Sequence, residues 1–236
     1  MATTEHHTSK QFDSELESLR SRVLQMGGLV ESQIVRAIDS LINGNVNLAD
    51  EVIADDHRVN ALEVGIDEDS AHVIARRQPA AGDLRMIMAI IKTITDLERI
   101  GDEAEKISRM AKLMYQSDRL HTPRFFEIKR AADHALDMLR RALDAFARLD
   151  VGAATQVVRQ DIDLDEQFRS MIRQLISYMM EDPRTISTSI EILFVAKAIE
   201  RIGDHAKNMA EYVVYLVKGK DVRHVTLEEM EREAAS

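Results

Sequence analysis

One five-residue segment occurs twice. Glu98-Arg99-Ile100-Gly101-Asp102 and Glu200-Arg201-Ile202-Gly203-Asp204 stand 102 positions apart in a chain of 236 residues. A second set of matches accompanies them. Val52-Ile53, Asp56 and Val59 align with Val157-Val158, Asp161 and Leu164 at an offset of 105. Self-similarity at a nearly constant period means that one structural unit is used twice. The shift between the offsets requires a small length difference near the second turn.

The unit is helical. Gly (9) and Pro (3) are few, aromatics make up 4%, and there is no Trp. The apolar load falls on Leu, Ile, Met and Ala, which lose little side-chain freedom in a helix. Six long helical stretches follow from the spacing: about 11–43, 47–77, 82–117, 124–149, 151–181 and 184–218. Asn43-Gly44-Asn45, Pro79, Asp118 to Pro123 and Asp182-Pro183 punctuate them. The expected fold is all-α: two tandem, pseudo-symmetric three-helix bundles over 11–117 and 124–218, with tails at 1–10 and 219–236.

At 100° per residue, Leu84, Ile87, Ile91 and Ile94 form a stripe that continues into Glu98 and Asp102. Ile186, Ile190 and Leu193 lead in the same way to Glu200 and Asp204. The opposite face (Ile90, Leu97, Ile100, Ala104) is apolar too. Two acids at i and i+4 repel each other, and on a buried face each costs several kcal/mol unless something positive joins them. In the second stretch Asp56, Asn60, Glu63 and Asp67 share one face. A hairpin turning near residue 80 sets residue 98 opposite about 62, and residue 102 opposite about 58. The second copy offers Asp161 and Asp165 to Glu200 and Asp204, while Glu31 and His134 are weaker candidates from the first helix of each unit.

Clustered carboxylate and amide oxygens suit hard ions: Mg, Mn, Fe or Ca, with Zn accepted, and enough acids for a multinuclear group. The alternative is an ordinary solvated face neutralised by Arg99, Arg201 and Lys106, with Asp102–Lys106 as an i,i+4 pair. No Glu-x-x-His occurs, which argues against a di-iron oxidase. Phosphate-loop, Gly-x-Ser-x-Gly and His-Glu-x-x-His motifs are absent as well. His6-His7 reads as a polar tail. Net charge −10 disfavours nucleic acid. The absence of Cys excludes disulfides and thiolate sites, and no stretch suits a signal peptide or a membrane span.

These residues resemble the PhoU family of phosphate-uptake regulators. The resemblance rests on Met26-Gly27-Gly28-Leu29-Val30-Glu31, Arg76-Arg77-Gln78-Pro79 followed by Asp83-Leu84-Arg85, both Glu-Arg-Ile-Gly-Asp segments, and Tyr215 through His224. It implies two similar three-helix bundles, and multinuclear metal binding through Glu98 with Asp102 and Glu200 with Asp204. It implies a negative regulator of phosphate uptake and of the phosphate-starvation (Pho) regulon rather than an enzyme. Such a protein acts with the phosphate ABC transporter and a membrane sensor histidine kinase, as a homodimer in the cytoplasm or peripherally at the inner face of the membrane. Phe168 stands where the first copy has Glu63, so the second cluster is expected to hold fewer ligands. A metal-dependent hydrolase and a metal-free structural bundle are the competing readings.

Overall fold

The computed structural model describes residues 10–116, 126–223 and 225–235. Six long helices form the body: α1 (Lys10–Asn43), α2 (Val46–Arg77), α3 (Ala81–Gln116), α4 (Phe126–Arg148), α5 (Val151–Glu181) and α6 (Ile186–Lys218). Local chemistry sets their ends. Asn45 opens α2 by accepting from the Leu48 N–H at 3.1 Å. Gln78, left-handed at φ 47°, closes α2 just before Pro79. Asp150 caps α5 through the Ala153 N–H at 3.0 Å. Asp182 caps a short 3-10 turn, Pro183–Thr185, that leads into α6.

The helices fold as two similar bundles, α1–α3 and α4–α6, in which each helix touches the other two of its bundle. The bundles join along two seams, α1 against α4 and the more extensive α3 against α6. Gly27 of α1 lets Leu143 of α4 pack against its backbone; a Cβ there would stand 2.6 Å from a Leu143 methyl. Asp96 on α3 pairs with His205 on α6, and Glu103 pairs with Arg201, so α3 and α6 run antiparallel. The core is continuous across both seams, with Ile34, Ile90, Leu97, Ile100, Leu139, Ile202 and Val213 among its buried members. The α2 and α5 helices lie on the outside, each packed only against elements of its own bundle and, for α5, a further helix.

Three expectations need correction. First, the carboxylate stripes are only partly the deep apolar face: Ile87 and Ile94 are buried in the core, but other members are not. Leu84, Ile186 and Ile190 are exposed, whereas Ile90, Leu97, Ile100 and Ala104 are fully buried. The face of α3 turned toward α1 and α6 takes the core, and the carboxylates occupy its flank toward α2. Second, 219–236 is not simply a tail. Leu227–Ala235 forms a helix, α7, packed on α5 and α6 with Met230 buried. Third, Lys106 binds Glu103 at 2.8 Å instead of Asp102. The Tyr212–Val217 run is chiefly core, with Val213 and Val214 fully buried. The expected tail at 1–10 (except Lys10), His6-His7, His224 and the break from Asp118 to Pro123 lie outside the described residues.

Candidate metal centre

The first cluster forms where the α2–α3 hairpin brings acids face to face. Glu98 has its carboxyl raised above the usual range, first by burial and then by the neighbouring charges of Asp102, Glu63 and Asp56. Asp56 is raised by burial and, further, by Asp102 and Glu105, against hydrogen bonds that lower it. Asp102 is raised chiefly by burial, with Lys106 and Arg201 opposing. Asn60 donates to Asp56 at 3.0 Å. Among the described residues no Lys, Arg or His forms an ion pair with Asp56, Glu63, Glu98 or Asp102.

Three buried oxygens in this region have no hydrogen-bond partner: Gln33 Oε1, Asp56 Oδ1 and Asn60 Oδ1. Two of them surround Gly101. A Cβ on Gly101 would lie 3.2 Å from Gln33 Oε1 and 3.4 Å from Asp56 Oδ1. A glycine in mid-helix costs about 1 kcal/mol against alanine. Here it leaves room beside Gln33 Oε1 and Asp56 Oδ1, while the amides of Asn60 and Gln33 serve the rest of the Asp56 carboxyl. Buried, unpartnered oxygens on a carboxylate and two amides are of the donor type that hard cations take.

The second cluster joins α5 to α6. Asp204 is pushed up to about 6 by burial and then by the charges of Glu200 and Asp161, with Asp165 contributing less. Its surroundings differ from those of the first cluster. Lys207 Nζ donates to Asp161 at 2.7 Å, Lys197 pairs with Glu200, and Arg169 pairs with Asp165 at 3.2 Å. Gly203 faces hydrocarbon: a Cβ there would stand 2.3 Å from a Leu164 methyl and 3.5 Å from Met138 Cε. Phe168 occupies the place of Glu63, with the Lys197 ammonium 5.4 Å from its ring centre.

A family model described as the PhoU domain matches this chain twice, over residues 23–111 and 128–213. The chain belongs to the PhoU family. It is 46% identical to the phosphate-specific transport system accessory protein PhoU of Escherichia coli K12 over 226 residues, 96% of this chain and 93% of the relative. Against the PhoU homolog of Pseudomonas putida it is also 46% identical, over 97% of this chain and 89% of that one. The crystal structure of PhoU from Pseudomonas aeruginosa superposes with a TM-score of 0.85 at 45% identity, covering 89% of this chain and all of that one. The phosphate transport system regulatory protein PhoU from Streptococcus pneumoniae gives 0.82 at 27% identity, covering 89% of this chain and 99% of that one. The two PhoU-domain matches fall on the two bundles, so each copy of the domain carries one acid cluster.

Within this PhoU fold, Asp56, Asn60, Glu63, Glu98 and Asp102 come together, as do Asp161, Asp165, Glu200 and Asp204. As they stand, no group of three or more His, Asp or Glu side chains among the described residues is arranged to hold an ion. The weaker candidates sit elsewhere. Glu31 binds Arg140 of α4 at 2.5 Å, His134 shares a 2.9 Å hydrogen bond with Gln167, and Asp67 is exposed. Gln33, Glu105, Lys197 and Lys207 escaped the sequence reading. Gln33 and Met138 are 105 positions apart, the offset that relates Asp56 to Asp161. Glu105 and Lys207 are 102 apart, like the repeated motif. Aligning the copies at those offsets would have exposed both contrasts.

Proposed function

We propose that this chain is an accessory protein of a phosphate-specific transport system. It acts as a negative regulator of phosphate uptake and of the phosphate-starvation response, as an adaptor between the cytoplasmic side of the transporter and its sensor histidine kinase. The observation that carries this reading is the match to accessory proteins of that system over nearly the full length of both chains. The helical body supports it, because broad helix faces joined by short turns are docking surfaces for partner helices and domains. No helix among the described residues is long and apolar enough to cross a membrane, so contact with a membrane transporter would be peripheral. We assign no reaction to the chain.

The same reading includes a divalent or trivalent ion at the first cluster. Asp56, Glu98 and Asp102 would hold it, with Asn60 and Gln33 supplying neutral oxygens and Glu63 completing the set. A bound ion would relieve the repulsion among these acids and tie α2 to α3, a structural role. The unpartnered Gln33 and Asp56 oxygens beside Gly101 support this assignment.

A deletion strain grown in excess phosphate tests the regulatory role. Phosphate-starvation genes should be expressed there as if phosphate were scarce. Unchanged repression in the deletion strain rejects the role.

A further inference from the structure

We infer that the two acid clusters are not equivalent cation sites. The first is an open oxygen-donor site, and the second carries its own cation, the ammonium of Lys207. The inference rests on the metal reading of the first cluster and concerns how the duplicated site has been divided.

The contrast is position by position. Beyond the second aspartate of each motif, the first copy has Glu105 and the second has Lys207, at equivalent places three residues on. Glu105 pairs along its own helix with Arg109 at 2.6 Å, and no cation is carried at that place onto Asp56. Lys207 instead crosses from α6 to α5, and its Nζ reaches Asp161 Oδ2 at 2.7 Å. Asp161 is the counterpart of Asp56, whose Oδ1 has no partner.

The floor differs in the same sense. Beneath Gly101 lies Gln33, 2% exposed, with its Oε1 unpartnered and 3.2 Å from where a Cβ would stand. Beneath Gly203 lies Met138, fully buried, and a thioether has little affinity for a hard ion. An ammonium held against a buried carboxylate does the electrostatic work that an ion would otherwise do. An entering ion would have to displace it, and in doing so strand a partly buried positive charge. Lys197 on Glu200 and Arg169 on Asp165 extend the internal neutralisation.

Chelator-stripped full-length protein titrated with Mn²⁺, with free Mn²⁺ read by electron paramagnetic resonance, tests the division. The native chain should show one class of binding. Asp102→Asn should weaken it at least tenfold and Gln33→Leu severalfold, while Asp204→Asn should leave it within twofold. Lys207→Met, with Lys207→Gln as a second variant in case the first folds poorly, should add a second class that Asp204→Asn removes. Lys207→Arg should not add it. Two equal classes in the native chain, one of them lost in Asp204→Asn, overturn the division and leave the metal reading standing. No Mn²⁺ binding by the native chain overturns both. A second readout needs no metal: Lys207→Met should lower the melting temperature of the stripped protein. A melting temperature unaltered by Lys207→Met would show that the ammonium neutralises nothing and would overturn the division.

Discussion

The α3–α6 seam offers the sharpest stability test, because its central pair is buried and can be removed cleanly. Asp96 is 2% exposed and His205 is 6% exposed. Asp96 Oδ1 accepts from His205 Nδ1 at 2.7 Å and from Asn208 Nδ2 at 3.2 Å, while His205 Nε2 has no partner. In Asp96→Ala, His205 loses its acceptor and Asn208 loses one. A hydrogen bond to a charged group contributes about 1.5–3 kcal/mol, and stranding a buried donor costs about 1–3 kcal/mol. Breaking a buried ion pair outright costs about 3–5 kcal/mol. A lost charge-assisted hydrogen bond together with a stranded donor gives about 3 kcal/mol, the lower end of that range. For a chain of this size that corresponds to a fall in melting temperature of roughly 6–12 °C. Urea unfolding at neutral pH, followed by circular dichroism, measures it. Replacing both partners, Asp96→Leu with His205→Leu, should recover part of the loss, since the apolar pair removes the stranded imidazole and leaves only Asn208 and Tyr212 short of an acceptor. A loss below about 1 kcal/mol in Asp96→Ala, or a coupling below about 0.5 kcal/mol in the double-mutant cycle, refutes the reasoning.

Other consequences are open to simple measurements. Glu211 is buried, and burial pushes its carboxyl up to about 7, with Lys207 and Arg223 opposing and Asp161 and Asp221 reinforcing. A folded value above the unfolded one means stability that is present at acid pH and lost as pH rises through about 7. Metal-free protein should therefore melt lower at pH 8 than at pH 5.5, and Glu211→Gln should flatten that part of the profile; an unchanged slope in the variant contradicts it. Gly101→Ala should gain about 1 kcal/mol of helix propensity while its methyl crowds Gln33 and Asp56, so Mn²⁺ should raise its melting temperature less than that of the native chain. Equal stabilisation of both by the ion would show that the space beside Gly101 is unused. Arg140→Ala should cost under about 1 kcal/mol despite its bond to Glu31, because the pair is solvated at the α1–α4 seam; calorimetry on the variant checks this.

The sequence carried the two bundles and most of both clusters because those features depend on local geometry. Antiparallel helices joined by a short turn have their register fixed by counting back from the turn. That is why Glu98 and Asp102 could be set against Glu63 and Asp56. The first helix of each bundle has no such constraint. Extending the arithmetic to α1 selected Glu31, two residues from Gln33. Two residues are about 200° around a helix, so Glu31 points to α4 while Gln33 points to α3. Asp67 shares a stripe with Asp56 but lies about 16 Å further along it, beyond reach. The apolar stripe held at Ile87 and Ile94 but not at Leu84, because both faces of α3 are hydrophobic and only packing decides how the core is shared between them. The helix at Leu227–Ala235 is short, and its burial depends on α5, a partner far away in the chain.

The seams also bear on the order in which the molecule assembles. Within each bundle, the α1–α2, α2–α3, α4–α5 and α5–α6 junctions are turns of a few residues, so those contacts close at little entropic cost. The pairs that cross the seams join residues about a hundred positions apart: 98 for Glu103 with Arg201, 109 for Asp96 with His205, 112 for Asp96 with Asn208, and 109 for Glu31 with Arg140. Contacts of such range form after local ones. Each repeat must therefore gather its helices while the faces destined for the seams are still wet, and docking of the halves is the step that dries Asp96, Glu103 and His205. A chain built by duplication thus inherits two early folding events and one late one, and its late intermediate is a pair of loosely tethered bundles with apolar flanks in water.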